Sequence, residues 1–427
     1  MNSLIIFSLL VTLMLTGMPI SISLGLTVLT FLFFMTQVPI EAVAMKLFTG
    51  IEKFEIMAIP FFILAGNFLT HGGVARRMIK FATSMVGHWA GGLGLGGVLA
   101  CALFAAVSGS SPATVVAIGS ILMPAMVKAG FPKRFGAGVI TTSGALGILI
   151  PPSIVMVMYS VSTNTSVGAL FMAGVLPGIV LASMLGFTTW YRAWKYKYPR
   201  QPKATWKERW GSFRKAVWGL ILIVIVMGGI YSGMFTPTEA AAVSAVYAFI
   251  VAVFIYKDMG LKDVPKVLLS SANMSAMLLY IITNAVLFSF LMTHENIPQE
   301  MASWMIGTGV GVIGFLLISN VLMLLAGNFM EPSSIVLILA PILFPIAMQL
   351  GLDPVHFGII MVLNMEVGMC HPPVGLNLYV SSGITKMGIT ELTIAVWPWL
   401  LTMLIFLVLV TYWPPLSTWL PKTIGMM

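Results

Sequence analysis

Charged residues are scarce in this chain. Aspartate, glutamate, lysine and arginine make up 8% of the 427 residues, whereas hydrophobic residues make up 59%. A soluble domain carries roughly 25% charged residues, so this composition excludes an ordinary soluble protein. Several uncharged stretches, such as 4–35 and 400–412, approach or exceed the ~20 residues of a membrane-spanning helix. The chain is therefore predicted to be an all-α polytopic membrane protein.

Other signals are missing as well. Alternating ten-residue strand patterns do not occur, which favours helices over a transmembrane barrel. The N-terminus has no basic segment and no small-residue cleavage motif, which predicts a first membrane helix and not a cleaved signal. Cys101 and Cys370 are too few for a disulfide framework or a cysteine metal cluster. No nucleotide-binding loop is present, so transport driven by ATP hydrolysis on this chain is not expected.

The net charge of +9 comes from basic residues that mark one side of a membrane and not a nucleic-acid surface. Five spans are predicted in each half: 4–16, 18–36, 54–70, a broken 135–161 and 167–190, then 216–234, 236–256, 270–292, a broken 357–380 and 391–413. With the N-terminus outside, all lysines and arginines except Lys46, Lys53 and Lys422 are then cytoplasmic, as the positive-inside rule expects. Both termini are predicted to be periplasmic and the central basic loop cytoplasmic.

The two halves match in order at offsets of 218 to 223 residues. Pro112 pairs with Pro332, and the Pro151-Pro152 pair matches Pro372-Pro373. An odd number of spans per half predicts that the copies are inverted, as in many secondary transporters. The repeats are expected at 1–191 and 216–427. The aromatic and basic stretch 192–215 between them is interpreted as an amphipathic cytoplasmic arm, with a plain solvated linker as the alternative.

Small polar residues and prolines interrupt both halves at matching places. GSSPATVV at 109–116 and GNFMEPSS at 327–334 lie between apolar runs, which predicts re-entrant hairpins near 90–127 and 303–349. Pro112 suits the first turn of an outgoing helix, with Ser111 as a cap for free N–H groups. Irregular backbone at such depth must be buried in protein or line a wet cavity, so we expect both hairpin tips to line the site.

The second interruption in each half contains a double proline, in SGALGILIPPS at 143–153 and EVGMCHPPVGLN at 366–377. Glycine permits unwound backbone and proline prevents a continuous helix, which leaves carbonyl groups free for a cation. A hairpin tip that faces each break predicts two sodium sites made of uncharged oxygens. Helix N-termini after the breaks offer N–H dipoles to an anionic substrate.

Other functions share some of these features. Ser110 or Ser111 with His371 permits an intramembrane serine hydrolase, although no strand-turn-helix nucleophile elbow is present. A channel could share the symmetry. Glu331 and Glu366 are carboxylates within the interruptions, so a proton could be coupled in addition to sodium, although Glu331 also suits a helix cap.

With these motifs, the sequence resembles the large membrane subunit, DctM type, of the tripartite ATP-independent periplasmic (TRAP) transporters. The blocks that carry the resemblance are GMPISISLGL, AIPFFILAGN, AVSGSSPATVVAIG, GALGILIPPS, FTPTEAAA and NMEVGMCHPPVGLNLYV. The resemblance implies an elevator-type, Na+-coupled importer in a bacterial inner membrane. It also implies two partners, a four-helix small membrane subunit and a soluble periplasmic binding protein. TPTEAAA and GMCHPPVGLNLYV are most similar to C4-dicarboxylate members, and sialic acid or another carboxylate is the alternative cargo.

The resemblance further implies binding residues, with no catalytic residue, no organic cofactor and no transition metal. The first sodium site is expected to use Ser108, Gly109, Ser110, Ser111, Gly144, Gly147 and Ile150. The second is expected to use Gly327, Asn328, Ser333, Gly368, Met369 and Cys370. The substrate is expected to contact Ser111, Thr114, Thr142, Ser153, Asn328, Ser334, Glu366, His371 and Asn377.

Overall fold

The computed structural model describes residues 2–373 and 375–427, so that Val374 of the second break lies outside the described residues. These residues form helices and connecting turns, with no β-strand in the described ranges. Within these described residues, eight helices are long and apolar enough to cross a membrane. The prediction of an all-α polytopic membrane protein is confirmed.

In the described part of the first half there are ten α-helices, and this half ends at the basic loop. They are α1 (Asn2–Leu15), α2 (Ile20–Met35), α3 (Ile40–Thr49), α4 (Ala58–His71), α5 (Val74–Val86), α6 (Gly92–Ser108), α7 (Ser111–Lys128), α8 (Lys133–Gly144), α9 (Ile154–Thr163) and α10 (Val167–Lys195). A short 3-10 turn, Phe54–Met57, leads into α4, and another, Ala145–Ile148, follows α8.

The second half, apart from Val374, contains eleven α-helices. They are α11 (Trp206–Ile223), α12 (Gly229–Tyr231), α13 (Pro237–Ile250), α14 (Val264–His294), α15 (Ile297–Gly307), α16 (Val312–Gly327), α17 (Pro332–Gln349), α18 (Pro354–Gly368), α19 (Leu376–Thr385), α20 (Ile389–Tyr412) and α21 (Pro415–Thr423). A π turn, Val224–Gly228, joins α11 to α12, and a second, Val251–Ile255, extends α13.

Several helices lie outside the predicted spans. The helix α5 is amphipathic, because Val74, Ala75, Met78, Ile79 and Ala82 are buried on one face. The helices α3, α15 and α21 are short as well. Their length is below the ~20 residues that a membrane crossing needs, so a search for long apolar runs does not detect them.

The basic stretch 192–215 contains the end of one helix and the start of the next. The helix α10 continues to Lys195, and α11 begins at Trp206 and runs directly into apolar sequence. Thr205 and Glu208 form a capping box that sets the start of α11. No proline follows inside that helix, and residues 206–215 are its first turns.

Helices of the two halves cross near the interruptions. We call the stretches 109–116 and 327–334 the first and second tips, and the stretches 143–153 and 366–377 the first and second breaks. The helix α7 begins in the first tip and packs against α19, which begins at the end of the second break. In the same way α17, which leaves the second tip, packs against α9, which follows the first break. Each tip therefore lies beside elements of both halves.

Candidate functional site

The first tip is a tight turn pressed against the first break. Gly109 ends α6 with a φ of 62°, a left-handed conformation that favours glycine. A Cβ atom on Gly147 would lie 2.6 Å from the carbonyl oxygen of Ser110, and one on Gly109 would lie 2.8 Å from that of Pro152. The close approach between tip and break therefore depends on glycine at both positions.

Hydroxyl groups fill this contact. Ser111 Oγ donates to the Gly144 carbonyl at 3.0 Å, which joins the tip to the broken helix. Thr114 Oγ1 donates to the Ser110 carbonyl at 2.9 Å and lies 2.9 Å from Ser108 Oγ. The expected capping role of Ser111 is wrong, because Ser110 is the cap residue of α7 and no side chain bonds the free N–H groups there.

Asn377 brings the second break to the first tip. Its Nδ2 donates to Ser111 Oγ at 2.8 Å and to the Thr141 carbonyl at 3.4 Å. Its Oδ1 is buried without a hydrogen-bond partner among the described residues. Cys370 Sγ also contacts the Thr141 carbonyl, at 3.4 Å. The oxygens around the first tip thus come from both halves of the chain.

The second tip meets the second break in a similar way. A Cβ atom on Gly327 would lie 2.9 Å from Gly368 Cα, and one on Gly368 would lie 2.8 Å from Gly327 Cα. With its amide oriented to satisfy nearby acceptors, Asn328 donates to the His371 and Pro372 carbonyls at 3.2 Å and to His371 Nδ1 at 2.8 Å. Asn328 therefore ties the tip to the irregular backbone of the break.

Glu331 occupies the position before α17, as a cap residue would. Its carboxylate accepts hydrogen bonds from Ser333 Oγ at 2.7 Å and Ser334 Oγ at 3.5 Å. The carboxylate is therefore held by local hydroxyl groups.

Both tips line one cavity of about 400 Å³. Of the residues predicted to bind sodium or substrate, the lining contains Gly109, Ser110, Ser111, Ser333 and Met369. The same cavity contains Glu331 and residues of α4 and α14 that the motifs did not indicate: Asn67, Thr70, Met274, Met277 and Leu278. Asn67 also donates from Nδ2 to Ser271 Oγ at 2.8 Å, so it links two helices as well as facing the cavity. Asn67 is a polar residue in the otherwise apolar run AIPFFILAGN, and this is the sequence feature that could have indicated a position facing the cavity.

The remaining predicted residues lie outside this lining. Thr142 Oγ1 donates to the Gly138 carbonyl of its own helix at 2.9 Å, and Ser153 Oγ caps α9 by accepting from Met156 N at 3.3 Å. Ile150 faces a different, apolar groove. The others lie beside the tips or in the breaks without lining the cavity: Ser108, Thr114, Gly144, Gly147, Gly327, Asn328, Ser334, Glu366, Gly368, Cys370, His371 and Asn377.

Charge is sparse around the cavity. None of its lining residues is lysine or arginine. Glu366 is fully buried, and neither carboxylate oxygen has a hydrogen-bond partner in the described ranges. Among those residues, no group of three or more histidine, cysteine, aspartate or glutamate side chains converges. Apart from the Glu331 carboxylate, an ion or anionic ligand in the cavity would meet neutral oxygens and N–H groups.

The hydrogen bonds argue against a serine nucleophile activated by histidine. Ser111 Oγ bonds Gly144 and Asn377. His371 Nδ1 bonds Asn328 instead. A serine hydrolase needs the base within hydrogen-bond reach of its nucleophile, an arrangement that these contacts do not provide.

Comparison with known proteins adds independent findings. A family model described as tripartite ATP-independent periplasmic transporter, DctM component, matches residues 7–416. The C4-dicarboxylate TRAP transporter large permease protein DctM of Rhodobacter capsulatus is 74% identical over 440 residues, covering 100% of both chains. The isethionate TRAP transporter permease protein DctMQ of Oleidesulfovibrio alaskensis is 43% identical over 403 residues, covering 93% of this chain and 63% of that relative.

A solved structure shares the fold. The Alcanivorax borkumensis YdaH transporter is similar with a TM-score of 0.62 and 17% identity, over 88% of each chain. At this identity the likeness concerns the arrangement of helices and not the cargo.

Proposed function

Because this chain belongs to the DctM component family of the TRAP transporters and is a large permease of that type, we propose that it imports a C4-dicarboxylate across a bacterial inner membrane with sodium as the coupling ion. The family is one of transporter permeases and not of enzymes. The observation that carries the proposal is the cavity of about 400 Å³ that both interrupted tips line.

The cargo is inferred from the relatives. The Rhodobacter capsulatus protein, named for C4-dicarboxylates, is 74% identical, whereas the isethionate relative is 43% identical. Both names describe small organic acids. The cavity supports such a cargo, because it offers hydroxyl groups and the start of α7, whose free N–H groups favour an anion. Sialic acid or another carboxylate is the alternative within the same transporter type.

Sodium is proposed to bind where tip and break meet. The first site offers hydroxyl and carbonyl oxygens from Ser111, Gly144 and Asn377, whose Oδ1 has no partner among the described residues. The second offers the backbone around Gly327 and Gly368. Such neutral oxygens suit a hard monovalent cation, and the ion's charge would offset that of the carboxylate cargo.

The coupling follows from this charge balance. Without sodium, the cargo's negative charge would cross the membrane uncompensated, which is costly in a low-dielectric interior. We propose that the two tips and two breaks move together as the transport domain, against α4, α14 and their neighbours, once ions and cargo are bound.

Two partners are proposed, a small four-helix membrane subunit and a soluble periplasmic binding protein. Support comes from the family description and from the relative named DctMQ, which is longer than this chain.

Uptake of radiolabelled succinate tests the proposal. The permease is reconstituted into proteoliposomes with the small subunit and binding protein of the same transporter, under an inward sodium gradient. We expect uptake that is lost when choline replaces sodium and when the binding protein is omitted. Sodium-dependent uptake of sialic acid but not of succinate would change only the proposed cargo. Succinate uptake that is equal in sodium and in choline would contradict the proposed coupling to sodium.

A further inference from the structure

A second, larger cavity lies on the side of the helix bundle, and we name it the apolar groove. It has a volume of about 1010 Å³ and lies between α6, α10 and α11. The α6 wall consists of residues 95, 98, 99, 102, 103 and 106, a spacing that places them on one helix face. The α10 wall runs from Met172 to Trp190. Ser183, one of the few polar residues there, donates its hydroxyl to the Ile179 carbonyl of its own helix at 2.8 Å, so the walls offer little to a polar ligand.

The groove is open to the surroundings and has the depth of one membrane leaflet. Ile179 and Phe187 in its wall are 58% and 63% exposed. From Leu95 to Ala106 the α6 wall extends about 16 Å at 1.5 Å per residue. That is about half of a hydrocarbon core of ~30 Å. The inner end lies at Ile150 and Pro151 of the first break.

The outer end of the groove carries aromatic rings and basic side chains. Trp89 and Trp190 line the groove and also an adjoining cavity that contains Trp194 and Arg200. The rings of Trp190 and Trp194 stack at 6.4 Å between centroids. Tryptophan is typical of the membrane interface, so this end marks the headgroup level.

The basic side chains at this level carry charge that no carboxylate balances. Lys195, Lys197 and Arg200 line a further cavity. This cavity shares Trp194 and Arg200 with the cavity that adjoins the groove. Among the residues that the structure describes, the ion pairs involve Arg76, Arg77, Arg134 and His294 and none of these three. Gln201 N donates to the Gly87 carbonyl at 3.1 Å, which holds this loop against the turn before α6. The loop that carries Arg200 is therefore held beside the mouth of the groove, and Lys195 and Lys197 lie in the next cavity along the surface.

We propose that the apolar groove is a binding site for an anionic phospholipid of the leaflet on the basic side of the molecule. An acyl chain lies in the groove, between α6, α10 and α11, and the headgroup phosphate contacts Lys195, Lys197 and Arg200. Apolar walls match the chain, and unbalanced lysine and arginine at the interface match the phosphate. The chain end then lies beside Ile150 and Pro151, which places the lipid against the first break.

Native mass spectrometry of the purified permease tests the headgroup contact. Phosphatidylglycerol and phosphatidylethanolamine with identical acyl chains are titrated separately. We expect preferential retention of phosphatidylglycerol. The double variant Lys197→Gln/Arg200→Gln should weaken its binding about thirtyfold, because each basic residue near an anionic surface contributes about fivefold. The matched control Lys262→Gln/Lys266→Gln removes the same charge elsewhere and should leave binding within about twofold.

A second variant tests the groove itself. Ala102→Trp fills the α6 wall, and we expect it to abolish retention of both phospholipids. Leu317→Trp, on the exposed face of α16, serves as the control and should retain them. Equal binding of phosphatidylglycerol by the charge variant and its control, or by Ala102→Trp and Leu317→Trp, would overturn the proposal. Lipid that is retained by the permease alone but displaced by the small subunit would assign the groove to that subunit and overturn it as well.

Discussion

At the scale of single residues, Asn377 connects the two halves of the chain. Its amide nitrogen bonds Ser111 Oγ at 2.8 Å, and its Oδ1 is buried without a partner among the described residues. A buried polar group that lacks a partner costs about 1–3 kcal/mol. An oxygen retained at such a cost beside the first tip is the best candidate for a ligand atom that sodium would satisfy.

Replacement of Asn377 should therefore weaken sodium binding. In Asn377→Leu the side-chain oxygen is lost and Ser111 loses its donor. We expect the sodium concentration for half-maximal uptake to rise at least about tenfold, as for the loss of one interaction of about 1.4 kcal/mol. A sodium titration of succinate uptake in proteoliposomes measures the change.

The matched control for this variant is Thr188→Val. It removes a side-chain hydrogen bond of 2.8 Å, to Thr402, that lies outside the cavity lining. The sodium titration should stay within about twofold of the wild type. If the sodium concentration for half-maximal uptake rose equally in both variants, the effect of Asn377→Leu would come from lower protein stability and not from a lost sodium ligand.

A second prediction at the scale of single residues concerns the space around Gly147. In Gly147→Ala the new Cβ would lie 2.6 Å from Ser110 O and 2.8 Å from Ser111 Cα, both backbone atoms of the tip. Because backbone cannot rotate away, we expect uptake to fall at least about tenfold, since a small misplacement of binding groups has large effects.

Gly383→Ala is the control for the steric prediction. No atom lies within 4 Å of the new Cβ at Gly383, which is in α19. Alanine in a helix interior is about 0.5–1 kcal/mol more favourable than glycine, so uptake and thermal stability should be kept or improved. A normal uptake rate in Gly147→Ala would show that the tip tolerates displacement.

At the scale of helices, caps and turns decide where elements begin. Thr236 and Glu239 form a capping box at the start of α13, with Thr236 N donating to Glu239 Oε2 at 2.8 Å. Thr205 and Glu208 do the same at α11. These carboxylates satisfy N–H groups that a helix start leaves free, which explains their presence without a role in binding.

Loss of the capping carboxylate should lower stability and leave binding unchanged. For Glu239→Ala we expect a loss of about 1 kcal/mol in the free energy of unfolding, the usual contribution of such a cap. Thermal unfolding in detergent measures this loss, and succinate uptake should keep its KM. The exposed Glu52 gives the control Glu52→Ala, which should change neither quantity. A raised KM in Glu239→Ala alone would place Glu239 in the binding path.

At the scale of the whole molecule, the predicted inversion of the two halves concerns the helix that follows each tip. Lys128 ends α7 and Gln349 ends α17, and each helix leads out from a tip. If the repeats are inverted, these two ends lie on opposite sides of the membrane. The sequence predicts that Lys128 is cytoplasmic and Gln349 periplasmic.

Cysteine labelling tests the inverted arrangement. Lys128 and Gln349 are exposed, whereas the native Cys101 and Cys370 are buried, so wild-type background should be low. With a membrane-impermeant maleimide, we expect Lys128→Cys to react in inside-out vesicles and Gln349→Cys in right-side-out vesicles. Labelling of both from one side would contradict the inverted repeats.

The sequence alone determined the membrane class, the positions of most spans and the places where helices are interrupted. These features depend on local composition: apolar runs, prolines such as Pro112 and Pro332, and glycines such as Gly109. Local patterns of this kind are readable because backbone hydrogen bonding and side-chain shape act within a few residues.

Only the tertiary structure decided which residues of one half reach the tip of the other half. Asn377 joins Ser111 across 266 residues, Asn67 turns toward the shared cavity, and Ile150 faces the apolar groove. These outcomes depend on how distant helices pack, and side-chain direction across such contacts is set by the packing geometry that a linear pattern does not contain.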